Sequence, residues 1–207
     1  MINSIDVKRF KIIAYTILLI SGLYVVSTSG WILSGNRSII TVMEILTACA
    51  AYVIIQFMIV LYKGCGEDKK SQGMTALILS VCMAVITIMN HFIYITVLNQ
   101  IYKEKSMPYW LLLDGWPSIS KGLECVAWGL FLGLAMLFAS RVLEDWESKV
   151  ITLTMRISGI LTLAGLVGPI IGDMKYYLLS TIGYSVGFLA ISIEMIVYFN
   201  KKSFEKK

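Results

Sequence analysis

The sequence predicts an all-α fold: a polytopic integral membrane protein, a bundle of six transmembrane helices in a single domain. Three observations predict it. Hydrophobic residues make up 57% of the 207 positions and charged residues only 15%, whereas a soluble domain carries about a quarter charged residues. Mean hydropathy is +0.77, which leaves too few polar groups to solvate the surface around a core. Apolar runs near the ~20 residues needed to cross a bilayer recur along the whole chain. They are continuous, not alternating, and a barrel span would be about half as long.

The expected spans are residues 11–33, 39–62, 74–98, 120–141, 150–171 and 176–199. The first follows a basic start and has a small-residue patch at Ser27, Thr28 and Ser29, as a signal peptide would. Its apolar region runs on through Trp31 to Leu33, too long for that reading, and it is expected to stay as a helix. The second span carries Glu44 near its start and Gln56 near its end; the third carries Asn90 and His91 near its end.

Between the third and fourth spans lies the longest non-spanning stretch, from about Asn99 to Ile119. Its run from Met107 to Pro117 mixes aromatics, leucines, two prolines and Asp114. Trp and Tyr favour the headgroup zone, so this piece reads as an interfacial or re-entrant segment, a lid over the bundle. The fourth span contains Glu124 and Gly129-xxx-Gly133. The fifth contains Gly168-xxx-Gly172 with Pro169, which should kink or end the helix. The sixth contains Gly183-xxx-Gly187 and Glu194, the latter expected to reach for the headgroups. Small residues four apart let helix backbones approach closely, so spans four to six should form a tight sub-bundle. No repeat relates the two halves.

Lysine and arginine orient the chain. Thirteen lie in the N-terminal tail, the second and fourth connections and the C-terminal tail, and five on the other side. The positive-inside rule then puts both termini in the cytoplasm. The net charge of +5 is thereby topological, and no nucleic-acid partner is expected. Six short-looped spans with basic tails are the layout of many small bacterial membrane proteins, so the expected location is a bacterial cytoplasmic membrane.

Orientation also fixes depth. Glu44, Asn90, His91 and Glu124 all fall within the outer third, level with Asp114, Trp116 and Asp173. An acid in a helix centre costs about 2.5–3.5 kcal/mol on insertion scales, so these groups should face inward, pair or meet water. A lone histidine between two acids can serve as a proton switch, or can lock the bundle by hydrogen bonding. The ligand-binding candidates are therefore Glu44, Asn90, His91, Asp114, Trp116, Glu124 and Asp173, with Trp31 and Trp110 nearby.

Catalytic templates mostly fail. One histidine is too few for a zinc hydrolase, and no phosphate-cradling Gly-x-x-x-x-Gly-Lys-Ser/Thr loop or Gly-x-Ser-x-Gly elbow occurs. None of the four cysteines forms a Cys-x-x-Cys pair, though Cys125 could reach His91. No metal and no cofactor are expected. The leading expectation is a multi-pass protein with an outer-leaflet polar cavity, binding or moving a small cationic or amphipathic molecule. The alternatives are a metal-independent lipid- or sterol-modifying enzyme using His91 and Glu124, and an accessory subunit whose glycine faces bind an oligomer partner.

Overall fold

The computed structural model describes residues 4–36, 38–98, 115–144 and 148–204. Among these there is no strand, and six helices are long and apolar enough to cross a membrane. Helix α1 is Ser4–Ser34 and α2 is Ser38–Gly64. Helix α3 is Lys70–Ile93, prolonged by a π-helical stretch over Tyr94–Leu98. Helix α4 covers Ile119–Leu143, α5 covers Lys149–Ile171 and α6 covers Leu178–Lys201. The six apolar runs of the sequence fall on these six helices. Of the run from Met107 to Pro117, Asp114 and Trp110 lie outside the described residues.

The helix ends follow from local chemistry. Gly35 takes a positive φ of 64° and donates its N–H to the Trp31 carbonyl at 2.8 Å. A left-handed glycine is the usual stop for an α-helix. Asn36 Oδ1 then accepts the Ser38 N–H at 3.0 Å, starting α2 after a very short link. Ser118 caps α4, its Oγ accepting from Lys121 N at 3.1 Å. Helix α5 is interrupted between Ala164 and Val167. Pro169 has no N–H for the carbonyl of Gly165, and Gly168 N serves that carbonyl instead at 3.0 Å. Gly172, with φ 78°, ends the helix.

The packing is ordered around α4, the most buried of the six helices; α1 is the least buried. At the end of the bundle that holds both termini, Phe10 of α1 stacks on Phe199 of α6 at 5.5 Å between ring centres. Phe10 also meets Phe57 of α2 edge-on at 5.9 Å, and Phe57 meets Phe188 at 6.1 Å. Such pairs contribute about 0.5–1.5 kcal/mol each beyond their burial. They clamp α1, α2 and α6 together at that end.

Glycines join α4, α5 and α6. Gly129 and Gly133 of α4 face Leu166, Leu163 and Thr162 of α5, and Gly183 and Gly187 of α6 face Ser158 and Thr162 of α5. These four glycines therefore pack inside the chain, against α5. Gly168 lies against the backbone of Tyr177 and Asp173, while Gly172 meets nothing within 4 Å. The outside of the bundle is apolar: Leu19, Val26, Ile32 and Leu33 on α1 and Ile170 on α5 are all more than 60% exposed.

One polar contact at the end that holds the termini differs from the sequence expectation. Glu194 does not reach outward; its Oε1 accepts from Thr154 Oγ1 of α5 at 2.8 Å, and its Oε2 is buried without a partner among the described residues. The acidic run after α4 begins at a tether. Glu144 accepts from Lys69 Nζ at 3.1 Å and from Arg156 at 2.5 Å, with Arg141 at 3.7 Å. It ties the α2–α3 connection to α4 and α5.

Candidate functional site

The ionisable groups at the end of the bundle away from the termini separate into two places. In the first, Glu44 of α2 and His91 of α3 form a buried pair, 6% and 2% exposed. His91 Nδ1 is in close contact with Glu44 Oε2, the geometry of an imidazole N–H donating to a carboxylate. This contact fixes the tautomer of a neutral ring and leaves Nε2 as the free nitrogen. Nε2 is buried and has no hydrogen-bond partner among the described residues. Beside the pair, Asn90 Nδ2 donates to the Ser120 carbonyl at 3.2 Å, holding α3 against the first turn of α4.

In the second place, Glu124 of α4 accepts from Lys121 Nζ at 2.7 Å. The pair is partly buried, with side-chain exposures of 28% and 20% for lysine and acid. Lys121 Nζ also lies 5.8 Å from the ring centre of Tyr177, within cation–π reach. Glu124 therefore has its own base, and among the described residues His91 is paired with Glu44 and not set between Glu44 and Glu124. His91 Nδ1 meets Glu44 and its Nε2 has no hydrogen-bond partner among the described residues, so Cys125, next to Glu124 in sequence, forms no thiol–imidazole pair there.

Glu124 borders a cavity of about 240 Å³ between α1, α2, α4 and α6. Its walls are Tyr24 and Ser21 of α1, Thr47 and Ile54 of α2, Trp128 of α4, and Thr181, Tyr184 and Phe188 of α6. The Phe57–Phe188 contact underlies it on the side of the termini. Trp128 and Tyr184 lie 5.2 Å apart, inclined at 40°, and Tyr184 donates to Thr181 Oγ1 at 3.5 Å. The cavity is thus an aromatic pocket with one carboxylate and a few hydroxyls.

Both helices that supply its aromatic wall depart from α-helical geometry there. In α4 the stretch Cys125–Phe131 is π-helical and carries Trp128; in α6 the stretch Ile182–Val186 is π-helical and carries Tyr184. Isolated π turns concentrate at functional sites because they re-aim side chains at the expense of regular hydrogen bonding. Here both stretches contribute to the lining of the same cavity.

Of the candidates read from sequence, Glu124 alone lines the cavity. Glu44, Asn90 and His91 form the neighbouring polar layer. Asp173 sits on the turn between α5 and α6, where its Oδ1 accepts from Lys175 N at 3.0 Å. Trp116 is half-buried just before α4 and, like Trp31, is not among the cavity residues. Tyr24, Trp128 and Tyr184 went unnoticed in the sequence, although two spacings point to them. Trp128 is four residues after Glu124, on the same helical face. Tyr177, Thr181, Tyr184 and Phe188 follow a helical stripe along α6.

No protein-family model matches the chain, and neither a curated protein nor a solved structure matches it.

Proposed function

We propose that this chain is an integral protein of a bacterial cytoplasmic membrane, with both termini inside, and that it binds a small organic cation in the cavity beside Glu124 for carriage or sensing. The lipid-facing part of this reading is supported by the apolar exterior of the helices and the segregation of basic residues. Monomeric soluble proteins rarely expose apolar patches beyond a few hundred Å².

The observation that carries the ligand class is one carboxylate at the edge of an otherwise aromatic and aliphatic cavity. Ligand pockets have this composition: apolar walls for affinity and a few placed polar groups for orientation. Carboxylate and aromatic faces together favour a cation with an apolar body. Lys121 already sets an ammonium against Glu124 and within reach of the Tyr177 ring, so an incoming cation would replace it instead of meeting a bare acid. Exposed pairs of this kind contribute about 0–1 kcal/mol, and partial burial still leaves the exchange feasible. Size follows from volume. A dry cavity of about 150 Å³ accepts benzene, so about 240 Å³ suits roughly ten non-hydrogen atoms.

The test is calorimetric binding of benzyltrimethylammonium, which is of that size, against its uncharged isostere neopentylbenzene. Purified protein should bind the cation and not the isostere, and Glu124→Gln should lower affinity by tenfold or more, about 1.4 kcal/mol. Equal binding of the two compounds, or unchanged binding in Glu124→Gln, would remove the reading.

A further inference from the structure

We infer that the ligand is a single-chain cationic amphipath, whose ammonium meets Glu124 and whose alkyl tail leaves the cavity sideways, between α1 and α6, into the hydrocarbon of the bilayer. This rests on the cation-binding and membrane reading above and adds where the rest of the ligand goes.

Exposure marks the opening. Among the described residues that line the cavity, three are exposed: Tyr24 and Val25 of α1 and Ser185 of α6. Val25 is 61% exposed. The lining residues of α2 and α4 are all buried or half-buried. The cavity therefore reaches the outside along the seam between α1 and α6. That seam is closed towards the termini, where Phe10 of α1 stacks on Phe199 of α6 and Ala14 is buried. Further along, every residue of α1 from Gly22 to Val26 is exposed. This is more than one helical turn, so α1 is not tightly packed on any side there. Val26 of α1 and Ile182 and Val186 of α6 are exposed on the same two helices. In a bilayer, apolar surface of this kind faces acyl chains.

Depth sets the order of head and tail. Val25 lies roughly 13 Å along α1 before Ser34, and Ser185 roughly 10 Å along α6 after Leu178. Glu124 lies nearer the helix ends, roughly 7 Å along α4 after Ile119. The hydrocarbon core takes up about 30 Å of a bilayer about 40–45 Å thick. The opening is then at the level of the lipid chains, and the acid is closer to the headgroups. A cationic amphipath in a membrane has the same order, charge shallow and chain deep. Volume asks for the opening too. The cavity suits roughly ten non-hydrogen atoms, and a longer chain must overflow it. Each methylene that stays in hydrocarbon avoids a transfer to water worth about 0.8 kcal/mol.

The experiment is displacement of benzyltrimethylammonium from the purified protein by decyltrimethylammonium, with decanol as the uncharged chain. Decyltrimethylammonium exceeds the roughly ten atoms that the cavity holds. It should displace the smaller cation completely, and decanol at the same concentration should not. Val25→Trp and Ser185→Trp each place an indole on one lip of the opening. In these variants the ratio of decyltrimethylammonium affinity to benzyltrimethylammonium affinity should fall by about tenfold or more. Uptake of the longer probe by detergent is common to wild type and variants and cancels in that comparison. Damage to the fold would weaken both cations equally. The proposal is overturned if decyltrimethylammonium fails to displace the smaller cation, if decanol displaces it as well, or if the ratio is unchanged in both variants. Each of these leaves the cation reading standing. Absence of benzyltrimethylammonium binding to the wild type removes both. If neither variant folds, the wild-type displacements decide the matter.

Discussion

Replacing Gly183 with alanine should destabilise the bundle, although alanine is the better helix former. A Cβ at Gly183 would lie 2.6 Å from Thr162 N and 2.7 Å from Ser158 O. Both are backbone atoms of α5 and cannot rotate aside. To restore ordinary contact, the two helices must part by roughly 0.7 Å, the gap between 2.7 and 3.4 Å. Overpacking of this kind costs about 1–3 kcal/mol, and the gain in helix propensity returns at most about 1 kcal/mol. With the full propensity gain subtracted, the expected net loss is up to about 2 kcal/mol. Gly122 supplies the control, since a Cβ there meets nothing within 4 Å; Gly122→Ala should be neutral or stabilising by up to about 1 kcal/mol. Unfolding by titration with sodium dodecyl sulfate, followed by circular dichroism, compares the two. Gly183→Ala as stable as Gly122→Ala would refute close backbone contact between α5 and α6.

Other consequences are quicker to state. Leu132, fully buried in α4, should cost about 2 kcal/mol on truncation to alanine in the same titration. That is the low end of core leucine losses. Glu144 should impose an acid limit. The hydrogen bond from Lys69 holds its carboxyl below the ordinary value of 4.5. A depressed folded value means that its contribution is complete above about pH 4.5 and is lost as pH falls through the folded value. Glu144→Gln should therefore lower thermal stability at neutral pH and abolish this part of the acid dependence, read by melting curves across pH.

The six helices were legible because bilayer-crossing length and apolar continuity are carried by each segment alone. The tight packing of α4 to α6 was legible for a similar reason: Gly129, Gly133, Gly183 and Gly187 mark one face of their own helices. The division of the polar groups was not. Topology fixes the depth of a residue but not its direction around the helix axis, and Glu44, His91 and Glu124 share a depth while facing different neighbours. Glu44 meets His91 because α2 packs on α3; Glu124 turns to the cavity because α4 is central and π-helical from Cys125. The i,i+3 spacing of Lys121 and Glu124 was visible in the chain, and it was the better guide to that acid's partner than equal depth.

This difference in partners has a consequence that a single cluster would not have. If His91 balanced both acids, removing Lys121 would leave the cavity site unchanged. With Lys121 held on Glu124, that ammonium is the ion that a cation bound there would displace. Lys121→Met keeps an apolar stem of similar length and leaves Glu124 without its ammonium. Benzyltrimethylammonium should then bind more tightly. A gain of about fivefold or more corresponds to recovering about 1 kcal/mol from the lost pair. Neopentylbenzene binding should not change, since the substitution adds no charge-independent contact. Weaker cation binding in Lys121→Met would mean that the lysine supports the ligand instead of standing in its place.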